Sequence, residues 1–380
     1  MQILAKTFYG LEQVLADELT VLGAKNIEIL HRAVRFEGNQ KLLYRTNFES
    51  RMALRFLIPI RTFKTKHENH FYKRIQEIDW QKYLDLKTTF AIDGVTHSKY
   101  MKHSKYLALK CKDAIVDQLR HRFDGQRPYI NTKNPDLRIN VHLSKDNLCT
   151  VSFDSSGSSL HKRGYRVASV EAPINEALAA GMIVLSGWKG DTAFVDPMCG
   201  SGTLPIEAAL IARNIPPQWQ RKEFGFQKWR DFNADLWKEV KENALSKIRE
   251  SDVPILGFDQ DFNAFQAASK NVAQANLKEV VKITWKKMEK VEHDLEEGVL
   301  VTNPPYDERL AEDNIAALYG GIGDQLKQKF TGFDAWIISS NRQALKHIGL
   351  RASKKIVLFN GPLECRFQHY ELYRGTRKSK

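Results

Sequence analysis

Three short stretches set reactive or hydrogen-bonding side chains directly after apolar runs. "FVDPMCGSGTLPIEAALIA" ends its run at Asp196 and passes through Cys199-Gly200-Ser201-Gly202-Thr203 into helical spacing. "PILGFDQD" ends at Asp259, and "GVLVTNPPY" ends at Asn303-Pro304-Pro305-Tyr306. Glycines at 200 and 202 permit a sharp turn and a close ligand approach, and the helix start that follows offers free N–H groups. An acidic side chain ending the next strand can accept hydrogen bonds from two ribose hydroxyls. Pro205 stands where a dinucleotide fingerprint would place its third glycine or alanine, which disfavours a pyrophosphate ligand. Consecutive prolines cannot continue a ladder or a helix, so the third run must stop in a stiff loop. There an Asn side-chain oxygen and a proline carbonyl can both accept hydrogen bonds, which suits a planar exocyclic amine with two N–H donors. In guanine or adenine that amine is a poor nucleophile, because its lone pair is delocalised into the ring. Holding both hydrogens aligns the nitrogen and stabilises positive charge as it develops. Tyr306 adds a face on which a flipped base can stack.

Such residues act together only if a sheet brings their strand ends to one edge. From about residue 171, short runs such as "TAFVD", "GVLVTN", "DAWIIS" and "KKIVLF" alternate with helical patterns. That is the pattern of a mostly parallel sheet covered on both faces. The chain before it reads differently, as compact α+β groupings with a hairpin signal at Lys145-Asp146-Asn147. The expected organisation is residues 1–50, 51–155, a basic junction at 156–170 around "LHKRGYR", and 171–380. An aromatic and charged insertion, residues 214–252, separates the first two motifs and could roof the site.

Charge is unevenly distributed. Residues 1–166 hold 29 Lys and Arg against 17 Asp and Glu, and the remainder 29 against 28. Almost the whole net charge of +13 therefore lies in the first part, which points to a polyanionic partner there. Lys99, Lys102 and Lys105 recur every three residues and are expected to line one helical face toward phosphates. Lys162, Arg163 and Arg166 are candidate RNA contacts at the junction, with locking of the domains as the other reading. Four cysteines without a C-x-x-C pair argue against a zinc site or a disulfide framework and fit a reducing cytoplasm. No apolar run approaches the roughly 20 residues that span a bilayer, and the N-terminus lacks a signal-peptide pattern.

Together "LHKRGYR", "DPMCGSGT", "GFDQD" and "TNPPY" resemble THUMP-domain RNA guanine-N2 methyltransferases of the bacterial 23S rRNA type, across essentially the whole chain. The resemblance implies a ferredoxin-like segment and a THUMP RNA-binding domain ahead of an α/β Rossmann-like class I methyltransferase domain using S-adenosylmethionine. It implies that Asp196 and the turn Cys199, Gly200, Ser201, Gly202 and Thr203 cradle the cofactor's amino-acid end, with Asp259 on its ribose. Asn175 would reach the cofactor from the preceding helix. Asn303 and Pro304, with Pro305 stiffening the loop, would accept the amine's hydrogens, and Tyr306 would stack on the base. No Asp stands in "ITWKKMEKVEH" to meet the adenine amine, which leaves that contact to backbone, Met288 or Glu289. The larger fused members carry a second methyltransferase domain, for which this chain has no residues. The implied partner is large-subunit rRNA or its assembly intermediate, with no metal and no membrane. A tRNA guanine-N2 enzyme, a DNA adenine-N6 enzyme and a non-catalytic RNA-binding assembly factor are the rivals. A cysteine-dependent pyrimidine enzyme is disfavoured, because no cysteine directly follows a proline.

Overall fold

The computed structural model describes residues 1–171, 173–305 and 312–373. Its first part comprises β1 (Gln2–Lys6), α1 (Glu12–Val21), β2 (Lys25–Leu30), β3 (Ala33–Glu37), α2 (Gln40–Glu49) and β4 (Arg55–Lys64). It continues with α3 (Glu68–Gln76), β5 (Phe90–Thr96), α4 (Ser104–Arg122), β6 (Leu137–Leu143) and β7 (Leu148–Asp154). These strands form one seven-stranded sheet in the order β2-β3-β1-β4-β7-β6-β5, antiparallel except between β5 and β6. The hairpin signal is met by β6 and β7, where Asn147 takes a φ of 60°, a value that Asn tolerates better than most residues. Because β4 pairs with both β1 and β7, the two α+β groupings share a single sheet.

The second part comprises α5 (Glu176–Leu185), β8 (Ala193–Asp196), α6 (Thr203–Ala212), α7 (Ala234–Leu245), β9 (Ile255–Asp259) and α8 (Phe262–Gln274). After these come β10 (Val281–Trp285), β11 (Gly298–Thr302), α9 (Glu312–Lys329), β12 (Phe333–Ser339), β13 (Lys354–Asn360) and β14 (Leu363–Glu371). The order is β10-β9-β8-β11-β12-β14-β13, parallel from β10 to β12, with β14 and β13 antiparallel. Side chains alternate between two buried faces. Phe194, Val301, Trp336 and Ile338 enter one core, while Val195, Leu300, Ala335 and Ile337 enter the other. A doubly covered parallel sheet needs apolar residues on both sides of each strand, and these short runs supply them.

The first of those cores does not stop at the second sheet. It runs on through Leu15 of α1 and through Ile3, Val34, Phe36 and Phe56 of the first sheet's near end. Gly181 of α5 makes this approach possible, because a Cβ there would stand 2.5 Å from the Leu11 side chain. The far end of the first sheet, β5 to β7 with α3 and α4, encloses a separate core around Trp80, Phe71 and Ile139.

The insertion is a bracket between domains, not the expected roof. Tyr44 of α2 stacks on Phe226 at 4.3 Å, and Phe48 meets Trp237 of α7 edge-on at 5.5 Å. Lys41 pairs with Glu239, and Arg230 with Asp85 at 2.9 Å. Apolar rings on this segment thus find their burial against the first part of the chain, which holds it there.

Candidate active site

The strand ends β8, β9 and β11 lie side by side, so the three motifs meet at one edge of the second sheet. The turn after β8 is pinned from below: Cys199 N donates to Phe258 O at 2.8 Å, and Gly202 N to Cys199 O at 2.8 Å. Gly200 and Gly202 adopt φ of 53° and 79°, and a Cβ at 202 would press on Ala268 at 3.1 Å. Backbone conformation thus favours glycine at both positions, and packing adds to it at 202. Asp259 holds the turn as well, since its Oδ2 accepts from Gly200 N at 2.8 Å and its Oδ1 from Asp261 N at 2.9 Å.

Asp196 is buried, and its Oδ1 accepts from Thr302 Oγ1 at 2.8 Å and Met198 N at 3.2 Å. Burial pushes its carboxyl up to about 7, against the lowering effect of those donors. Burial likewise raises Asp259. Thr302 thus ties the first motif to the third, a link for which the sequence carried no signal beyond its place beside Asn303.

Asn303 follows β11 directly. Its Oδ1 is buried and has no hydrogen-bond partner among the described residues. Such an acceptor costs free energy unless something donates to it, and a substrate amine is the kind of group that would. Pro304 is buried beside it and Pro305 is exposed. Tyr306 lies outside the described residues.

At the basic junction the two readings, RNA contact and lock, divide between residues. Arg163 is not a surface contact: its side chain is 1% exposed and stands 3.5 Å from Glu207 of α6, which is 0% exposed. Its guanidinium donates to Leu160 O at 2.7 Å and to Arg51 O, while Tyr165 Oη donates to Glu207 Oε1 at 2.9 Å. A guanidinium enclosed this way has no face left for RNA phosphate. Arg166 is similarly committed. Its Nε donates to Glu176 at 2.8 Å, Nη1 to Ser201 Oγ at 3.0 Å, and Nη2 to Ile174 O at 2.9 Å and Thr203 Oγ1 at 3.0 Å. It grips the glycine turn and leaves little guanidinium for RNA. Asn271 of α8, which no motif announced, supports the same turn by donating to Ser201 O at 2.9 Å and accepting from Val167 N at 2.9 Å. Lys162 is exposed and free to meet a polyanion.

Lys99, Lys102 and Lys105 are all exposed, but they do not share a helical face. α4 begins only at Ser104, and the segment before it is a bend held by Thr96 Oγ1, which donates to Met101 O at 2.7 Å. Asn175 uses its Oδ1 to cap α5, accepting from Ala177 N at 3.0 Å. Met288 sits in the core with Phe258 and Val291, and Glu289 is exposed.

The geometry fits S-adenosylmethionine: a glycine turn at a helix start and, among the described residues, a buried carboxyl without a cation and an unpartnered acceptor on the neighbouring strand end. Comparison with known proteins agrees. Residues 163–369 match the family described as the RMKL-like methyltransferase domain, residues 65–154 the THUMP domain, and residues 2–57 the RlmL ferredoxin-like domain. A Synechocystis protein named as an RNA methyltransferase is 40% identical over 96% of this chain and 95% of its own length. The ribosomal RNA large subunit methyltransferase K/L of Syntrophotalea carbinolica is 39% identical over 96% of this chain, which spans about half, 52%, of that enzyme. A crystal structure described as that of a methyltransferase complexed with S-adenosylhomocysteine superposes with a TM-score of 0.89 at 30% identity, covering 99% of both chains. Among the described residues no helix is long and apolar enough to cross a membrane. With fold, site and relatives in agreement, the chain belongs to the RMKL-like family of THUMP-containing, S-adenosylmethionine-dependent RNA methyltransferases.

Proposed function

We propose that this chain methylates the exocyclic N2 amine of a guanine in RNA, with large-subunit rRNA as the substrate. The observation that carries this reading is the buried Oδ1 of Asn303, which has no hydrogen-bond partner among the described residues and lies at the carboxyl edge of the sheet, beside the glycine turn. The K/L relative, named for the ribosomal RNA of the large subunit, supports the choice of RNA.

The bound cofactor supplies an electrophilic methyl carbon on a sulfonium. Asp196 and the turn from Cys199 to Thr203 hold its amino-acid end, and Asp259 accepts from its ribose hydroxyls. Asn303 Oδ1 and the Pro304 carbonyl would accept the two amine hydrogens, aligning the nitrogen and stabilising the positive charge it gains on taking the methyl carbon, whose former bonding pair stays with the cofactor sulfur. Pro305 stiffens that loop, and Tyr306 stacks on the base. The excess proton leaves an already cationic amine, so no strong base need stand beside it. Lys99, Lys102, Lys105 and Lys162 contribute phosphate contacts from the basic part of the chain.

Methyl transfer from labelled cofactor to total RNA, followed by nucleoside analysis, tests this. The expected product is N2-methylguanosine in large-subunit rRNA, absent with Asn303→Ala. Label found only in tRNA, or as N6-methyladenine in DNA, overturns it.

A further inference from the structure

The carboxyl edge of the second sheet carries two exposed rings, backed by a half-buried third, that the chemistry above does not use. Phe262 opens α8 and is 46% exposed, and Trp285 ends β10 and is 58% exposed. Their rings meet edge-on at 5.0 Å, and Phe265, on the same helix face, lies 6.0 Å from Phe262. One exposed aromatic residue is ordinary, whereas two exposed rings in contact form an apolar surface able to take a ligand. Trp285 Nε1 donates to Gln260 O at 2.9 Å, which fixes the indole in place while most of the residue stays in solvent.

Position and charge both indicate what covers it. Trp285 pairs in register with Asp259, so the rings stand beside the strand end assigned to the ribose. β10 is three strand intervals from β11, roughly 15 Å from Asn303. Lys282, Lys286, Lys287 and Lys290 surround Trp285 in sequence against the single acid Glu289. Asp261, the acid next to Phe262, turns its Oδ1 to Asn263 N at 2.8 Å and so serves its own helix.

We propose that Phe262 and Trp285 form a stacking shelf for an unpaired RNA base a few nucleotides from the one that is methylated. The inference rests on RNA being the substrate. Aromatic faces stack on any base, and neighbouring lysines neutralise the phosphates that accompany it. A ring pair already fixed in the free protein loses little conformational freedom on binding. The shelf would hold the strand along the sheet edge while the target base enters the crevice.

The test uses the full chain with Trp285→Ala and with Phe262→Ala. Affinity for deproteinised large-subunit rRNA and for single-stranded oligoadenylate is measured beside affinity for S-adenosylhomocysteine. The expected result is a loss of RNA affinity of roughly tenfold in each variant. S-adenosylhomocysteine affinity and thermal midpoint should be unchanged, and Trp285→Phe should recover most of the loss. The salt dependence should keep its slope, whereas Lys286→Gln with Lys287→Gln should lower it by about 0.7 per charge. Lost S-adenosylhomocysteine affinity with RNA binding intact would assign the rings to the cofactor's adenine and overturn the proposal. Unchanged affinity for both ligands would overturn it equally. Failure of the guanine-N2 reading is seen separately, in the identity of the methylated nucleoside.

Discussion

Two basic regions of this chain have opposite fates. The arginines of the junction, Arg163 and Arg166, are drawn inward onto carbonyls, hydroxyls and the carboxylates of Glu207 and Glu176. The lysines at 99, 102 and 105 stay in solvent on a bend and at the first turn of α4. Both regions read as candidate RNA contacts in the sequence, the junction with a lock as its other reading. The difference lies in the head groups. A guanidinium presents a rigid fork of donors that can satisfy several buried acceptors at once, while an ammonium is a compact, strongly hydrated charge. Charge density alone therefore does not locate an RNA surface, and here the strongest cations act as cross-links.

The largest effect is expected where that cross-link is cut. Arg163→Ala leaves Glu207 buried without its closest cation and should cost about 3–5 kcal/mol of stability, read by denaturant unfolding. RNA affinity per folded molecule should not change, and a selective loss of RNA binding without destabilisation would restore Arg163 to the RNA surface. Arg166→Ala should be smaller and of another kind. It releases Ser201 and Thr203, so cofactor affinity should fall by roughly tenfold, two or so hydrogen bonds to a charged group being lost from the turn.

Asp196 sharpens the contrast from the other side. It is a buried carboxyl whose one charged influence among the described residues is another carboxylate, Asp259, and that raises its pKa further. Its folded value of about 7 lies above the ordinary 3.8. Between those values the folded chain keeps a proton that the unfolded chain has released. Stability of the cofactor-free protein should therefore fall as pH rises from about 4 toward 7 and level off above. Asp196→Asn should remove that slope, giving a thermal midpoint that gains more at pH 8 than at pH 5. Cofactor affinity should run the opposite way, tightening as pH rises through about 7, because only the ionised carboxylate attracts the cofactor's ammonium. A flat binding profile in the native protein would take Asp196 out of the cofactor site.

The smallest effect belongs to the exposed lysines. Replacing Lys99, Lys102 and Lys105 with Ala should leave stability within about 0.5 kcal/mol and lower the slope of RNA affinity against salt by roughly 0.7 for each phosphate no longer neutralised. An unchanged slope would leave Lys162 and the lysines near Trp285 as the groups that meet the phosphates.

What could be read from the chain depended on distance along it. The turn at Gly200 and Gly202, the strand ends at Asp196 and Asp259 and the stop at Asn303 were legible because such features follow from the few residues on either side. Lys99, Lys102 and Lys105 were misread as one helix face because a three-residue period also fits a bend. What prevents the helix from starting earlier is Thr96 bonded to Met101, together with the bond from Ser98 to Asn147, 49 residues away. Residues 214–252 could be recognised as an insertion with many rings, yet nothing local said that Tyr44 and Phe48 were waiting for them.

Alternation, turn glycines and proline stops are short-range properties, and through them the amino-acid order alone determined the strands, the doubly covered sheet and the three motifs at its edge. Tertiary structure decided how those parts share material: one sheet through β4, one core through Gly181 and Leu11, and a junction whose arginines are spent on Glu207, Ser201 and Thr203. Burial creates those pairings, because a buried charge or ring must find its partner wherever the folded chain supplies one, and sequence spacing does not encode that choice.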